Sequence, residues 1–332
     1  MPATHASVRV TGRAVHETEV TRFDWPGVYI DFAFTGSSVE LVMQDGQNDY
    51  DVSIDRGRPS LLRTREGDST YVLARRLPFG RHEVRVTKRT EGAFGVANFY
   101  GFVLPPDGRP LPLDPPPDRS IEFVGDSYVA GYGVDGASPD CSFSRETENA
   151  NQTFGAVLAR RLGAEHHIVA KSGAGVVRNY GVMRRLADDP FMDYYPRALM
   201  NEPQPAWRTE QWRPDAVVLR IGRNDFTTMP HPTTKQFERA YYMLVSRFRI
   251  QYPNAHIFAV CGPMRDRLPC EPIGRVVRRI HREDKDRGLH FVQLPSTLTR
   301  PDDFGCDWHP NATGQQKMAD ALEPVIRRQL GW

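Results

Sequence analysis

Several things are scarce in this sequence, and each scarcity excludes something. Among its 332 residues there are four cysteines, Cys141, Cys261, Cys270 and Cys306, at spacings of 120, 9 and 36. Those intervals match no zinc-ligand pattern, and the expectation is four free thiols. A Cys270–Cys306 bridge is an alternative that spacing does not decide. Neither sign of charge prevails: 43 basic residues against 41 acidic leave a net charge of +2, so no electrostatic case exists for nucleic acid or an anionic membrane as partner. No apolar run approaches the ~18–20 residues that span a bilayer. The first residues, MPATHASVRVTGRAV, lack the apolar core of a secretory signal, which leaves a cytoplasmic protein or one whose signal has been removed. There is no GxxxxGK[ST] phosphate loop, no dinucleotide fingerprint and no metal-ligand cluster, so no cofactor is expected.

What is present divides into two textures. Up to about residue 103 the chain alternates short strand-like runs with turn residues. VYIDFAF (28–34), VELVM (39–43), YDVSI (50–54), STYVLA (69–74) and HEVRVTKR (82–89) are separated by TGSS, DGQND, DRGRP, REGD and LPFGR. This pattern predicts an all-β sandwich or jelly roll over residues 1–118. It ends in LPPDGRPLPLDPPPDRS (104–120), whose seven prolines make a stiff linker.

From residue 119 to 332 strands and helices alternate. Apolar runs at 121–125, 166–170, 215–222, 255–262 and 289–294 are interleaved with amphipathic stretches at 152–163, 237–253 and 315–330. The alternation predicts an α/β domain with a parallel, flavodoxin-like sheet. Residues 178–212, rich in aromatics and prolines, fit neither pattern and are expected to form an irregular loop, either beside the site with its rings lining a ligand wall or packed on the surface with its aromatics in the core.

In such a sheet ligands bind beyond the carboxyl ends of the strands. Four segments lie there: Gly125-Asp126-Ser127-Tyr128, Lys171-Ser172-Gly173-Ala174-Gly175, Gly222-Arg223-Asn224-Asp225, and Cys306-Asp307-Trp308-His309. Alone, Ser127 reads as a helix cap and His309 as a loop residue. Gathered at one edge, they bring a hydroxyl, an imidazole and amide donors together, the groups that acyl transfer needs.

GDS (125–127), a glycine near 175, GRND (222–225) and DWH (307–309) resemble the four blocks of the SGNH or GDSL hydrolases. With the β-rich first half and the phrase IEFVGDSYVAGYG, the chain resembles carbohydrate esterase family 2, whose members remove acetyl groups from plant polysaccharides. The resemblance implies Ser127 as nucleophile and His309 as general base. It implies the Ser127 N–H, Gly175 (with Gly173 as runner-up) and the Asn224 amide as oxyanion donors. The aspartate that many relatives place three residues before the histidine is Cys306 here. Asp307 is therefore the expected third triad member, with a Ser–His dyad as the alternative. Trp308 is the expected substrate contact, and Trp207, Tyr194 and Tyr195 are further candidates for stacking on a sugar. The implied partner is an acetylated carbohydrate.

Overall fold

The computed structural model describes residues 1–67, 69–263 and 268–332, in two compact units. The first contains Met1–Pro116 and Arg197–Trp207, the second Pro117–Pro196 and Arg208–Trp332.

The first unit is all-β, with two antiparallel sheets. One runs in the order Val8–Thr11, Tyr29–Thr35, Arg81–Lys88, Asp49–Ile54, Ser60–Arg63, with Arg109–Leu111 also paired to Tyr29–Thr35. The other runs Val15–His16, Thr21–Phe23, Ala97–Val103, Val39–Gln44, Thr70–Ala74. Apart from two consecutive pairs, Val15–His16 with Thr21–Phe23 and Asp49–Ile54 with Ser60–Arg63, successive strands switch between the two sheets, as in a jelly roll. Aromatic rings fill the space between the sheets. Phe32 and Phe102 stack with centroids 4.6 Å apart, and Phe99 meets Phe102 edge-on at 5.3 Å. Five of these strands follow the sequence pattern. The shorter ones, such as Thr21–Phe23, have too few residues to show a period.

Part of the expected loop at 178–212 belongs to this unit. Arg197–Leu199 and Glu202–Ala206 pair as an antiparallel hairpin. Buried Asp24 accepts the N–H groups of Met200 and Asn201, at 2.7 and 2.9 Å, and the Trp25 indole donates to the Ala198 carbonyl at 3.1 Å. These partners are more than 170 residues away in sequence, so local pattern could not reveal them.

The second unit is built on a parallel sheet in the order Ala164–Ala170, Arg119–Gly125, Ala216–Arg220, His256–Cys261, Leu289–Gln293. In chain order that is 2-1-3-4-5, the flavodoxin-like topology, which places the switch point beside Arg119–Gly125. Alternation along this strand sends Ile121 and Phe123 to one face, where Phe154, Leu158, Met318 and Leu322 cover them. Those residues come from helices Phe154–Leu162 and Ala312–Leu330, which pack together. Helices Thr234–Gln251 and Cys270–Glu283 form a second packed pair. The latter helix carries no sequence expectation because Pro272 and Gly274 interrupt its pattern. Pro272 falls in the first turn, where its missing N–H costs nothing. Among the described residues no helix is long and apolar enough to cross a membrane.

The four cysteines are not free thiols. Cys141 is bonded to Cys306 and Cys261 to Cys270, which also rules out a Cys270–Cys306 bridge. The first pair joins positions 165 residues apart, a proximity created only by folding.

Candidate active site

Ser127 follows the central strand at the switch point. Gly125 is required there: a Cβ would lie 2.1 Å from the Arg220 carbonyl oxygen. Asp126 then caps the four-residue helix Ser127–Ala130, its Oδ1 accepting the Tyr128 N–H at 3.2 Å. Capping is thus done by Asp126, which leaves the Ser127 hydroxyl for other work.

That hydroxyl lies 2.9 Å from Nε2 of His309, 182 residues later. Nδ1 of His309 lies 3.0 Å from the backbone carbonyl oxygen of Asp307. A carbonyl only accepts, so Nδ1 carries the proton in the neutral ring and Nε2 is left to accept from Ser127. Burial pulls the imidazole below its ordinary 6.5, opposed first by the Asp307 carbonyl and then by the charge of Asp126. The ring is therefore neutral at pH 7, the form that takes a hydroxyl proton.

The Asp307 carboxylate does not contact His309 as a triad acid would. Its Oδ2 accepts the Tyr132 hydroxyl at 2.8 Å and the Phe143 N–H at 3.0 Å. The cause is local backbone geometry. Asp307 and Trp308 both have left-handed φ, 52° and 57°, which turns the Asp307 carbonyl toward the imidazole. The Asp307 N–H donates to the Cys141 carbonyl at 2.9 Å, and the adjoining disulfide ties the same two loops. The imidazole thus meets the Ser127 hydroxyl through one nitrogen and a backbone carbonyl through the other.

Asn224, 8% exposed, donates through Nδ2 to the Ala174 carbonyl at 2.9 Å, which joins the third and second expected blocks. The next residue, Asp225, accepts the N–H groups of Val176, Val177 and Arg178 at 2.8, 2.8 and 3.0 Å. Burial raises its carboxyl to about 7 against the pull of those three amides. The Gly175 N–H is engaged elsewhere, donating to Asn179 Oδ1 at 3.0 Å, because the chain doubles back tightly there. A Cβ on Gly175 would fall 2.0 Å from the Arg178 carbonyl oxygen, so this glycine serves the turn. Gly173, with φ of 75°, keeps an N–H that no described residue accepts. Of the two glycines expected as oxyanion donors, Gly175 thus has its N–H engaged within the turn, and Gly173 does not.

Comparison with known proteins agrees with this architecture. The family model described as carbohydrate esterase 2 N-terminal matches residues 10–116, and that of the GDSL-like lipase/acylhydrolase family matches residues 123–317. The chain is 33% identical over 313 residues to the cellulase/esterase CelE of Acetivibrio thermocellus, covering 93% of this chain but 38% of that protein. It is 29% identical to an acetylxylan esterase/glucomannan deacetylase of Cellvibrio japonicus, covering 98% of this chain and 91% of the relative. A family two carbohydrate esterase from Clostridium thermocellum, solved in complex with cellohexaose, superposes with a TM-score of 0.92. That match is 31% identical and covers 98% of this chain and 99% of the other.

The chain belongs to carbohydrate esterase family 2.

Within this family 2 esterase several site residues carried no expectation from the sequence. The Tyr132 ring lies 4.2 Å from the His309 ring and stacks on Phe143 at 3.9 Å. Tyr128 approaches the imidazole at 5.4 Å. Both tyrosines stand within YVAGY, just after the nucleophile, and that closeness was the available signal. Trp308 is 53% exposed beside the dyad, packed against Phe304 at 5.5 Å. Tyr180, 59% exposed, donates its N–H to the Gly173 carbonyl and so stands at the expected oxyanion turn. Tyr195 is excluded as a sugar platform: it is buried and its hydroxyl donates to Glu122 at 2.7 Å. Tyr194 is partly exposed and bonded to Asp189, with Lys171 over its ring. Trp207 belongs to the first unit. Among the described residues no group of three His, Cys, Asp or Glu side chains is arranged to hold a metal.

Proposed function

We propose that this protein is a serine esterase that removes acetyl groups from acetylated carbohydrates, acting through an acyl-enzyme. The observation that carries the reading is the 2.9 Å approach of His309 Nε2 to Ser127 Oγ, in a ring whose other nitrogen faces a carbonyl. Ser127 Oγ attacks the acetyl carbonyl carbon as its proton passes to His309 Nε2. The oxyanion that forms is met by the Ser127 and Gly173 N–H groups and the Asn224 amide. The imidazolium then protonates the departing sugar oxygen, leaving acetyl-Ser127. Water, deprotonated by the same imidazole, releases acetate and restores the hydroxyl.

The substrate class rests on the relatives, one named for acetylxylan and glucomannan and another solved in complex with cellohexaose. Two exposed rings in the second unit, Trp308 and Tyr180, are suited to stacking on sugar faces. Acetate release from acetylated xylan and acetylated glucomannan, compared with an aryl ester series of increasing chain length, tests the reading. The expected result is acetyl preference and loss of turnover in Ser127→Ala. Turnover that survives Ser127→Ala would refute the mechanism, and equal rates on long acyl chains would refute the substrate class.

A further inference from the structure

Arg220 ends the third strand of the parallel sheet and is 4% exposed, which a guanidinium tolerates only when it is well partnered. Its NH1 donates to Asp126 Oδ1 at 2.5 Å, and Asp126 is itself only 1% exposed. Its NH2 donates to the Gly262 carbonyl at 3.4 Å, at the end of the neighbouring strand. The guanidinium carbon lies 3.8 Å from the centre of the Tyr128 ring, within cation–π range. Asp126 and Tyr128 flank Ser127 in the chain, and the Tyr128 ring meets the His309 ring at 5.4 Å. One cation thus touches both neighbours of the hydroxyl and reaches the imidazole through one of them.

We propose that Arg220 is a positioning residue for acyl transfer, which holds Asp126 and Tyr128 on either side of Ser127 and balances the buried charge beside His309. The proposal rests on the esterase reading for its kinetic consequences and on geometry alone for its electrostatic ones. The groups facing His309 are Asp126, Tyr128 and Tyr132 from the turn after the first strand, Arg220 from the third strand, and Asp307 from its own loop. Asp126 raises the proton affinity of the imidazole and Arg220 lowers it. Removing Arg220 takes away the nearby cation that opposes the imidazolium, so His309 binds its proton more tightly. Removing Asp126 as well cancels that effect.

The test combines kinetics on an aryl acetate with an NMR titration of the His309 ring, assigned by its absence in His309→Gln. In Arg220→Met, kcat is expected to fall about 10- to 100-fold with little change in KM, because small displacements of reacting groups cost rates of that order. The His309 titration and the acid limb of kcat/KM both move to higher pH. In the double variant Arg220→Met/Asp126→Asn both return toward the wild-type position. An unmoved titration in Arg220→Met, or a double variant that titrates like the single one, would overturn the proposal. The titration needs no turnover, so it decides the electrostatic claim even if the esterase reading fails. Should Arg220→Met not fold, Arg220→Lys serves instead. It retains the charge but cannot reach Asp126, Gly262 and Tyr128 together. A lowered kcat with a wild-type titration supports the proposal, and undiminished kcat overturns it.

Discussion

Asp307 supports His309 with its backbone carbonyl, 3.0 Å from Nδ1, while its carboxylate faces away toward Tyr132 and Phe143. One residue thus does two separate jobs: its main chain meets the imidazole, and its side chain ties the Tyr132 hydroxyl and the Phe143 N–H to the left-handed turn.

Separating the two jobs by mutation is direct. In Asp307→Ala the carbonyl remains but the turn loses its anchors, so kcat should fall about 10- to 50-fold. Removal of a true triad carboxylate costs about 10⁴. His309→Ala should cost at least that much. Steady-state kinetics on an aryl acetate decides the matter, and losses of equal size would restore the carboxylate as a triad member.

Asn224→Ala should lower kcat by about 10²–10³ with little change in KM, since an oxyanion donor acts mainly in the transition state. Thermal melting belongs beside the kinetics, because Asn224 also donates to the Ala174 carbonyl. A variant with full kcat and a lowered melting temperature would reduce Asn224 to a structural role.

The pH dependence follows from His309. As the proposed base it must be neutral, and its pKa lies below 6.5 because burial disfavours the imidazolium. The acid limb of kcat/KM should therefore fall below pH 6.5. The same sign applies to stability: the folded state binds this proton more weakly than the unfolded chain, so stability is full above the unfolded pKa and declines as pH drops past it.

A second histidine extends that decline. His290 is pulled to about 4, first by burial and then by the charges of His256 and His281, and its Nε2 lies 2.9 Å from His256 Nδ1. Its contribution should be lost between about pH 6.5 and about 4. Melting temperatures measured across that window should fall less steeply in His290→Gln than in the parent.

Thiol titration checks the disulfides. Denatured but unreduced protein should show no free thiol, and reduced protein should show four. Replacing Cys141 and Cys306 by serine should lower the melting temperature, since a native disulfide typically contributes about 2–4 kcal/mol. It should also lower kcat, because this bond ties the loop bearing Asp307 and His309.

Much of the fold was legible because its elements are regular. The runs at 121–125, 166–170 and 289–294 are short, apolar and bounded by turns, and each lies within an observed strand or overruns its end by one residue. Helix Cys270–Glu283 was hidden by Pro272 and Gly274, which disfavour a helix interior; Pro272 is accommodated because it falls in the first turn. The hairpin at Arg197–Ala206 was hidden because its stabilising partners, Asp24 and Trp25, lie in another part of the chain.

The sequence by itself determined the sheet, its strand ends and the types of chemical group that stand there, since periodicity and turn residues act locally. Tertiary structure alone decided the cysteine pairs, which glycine N–H is available and which oxygen of Asp307 meets His309. Each of those depends on the direction of a bond where distant segments meet, and residue spacing does not encode direction.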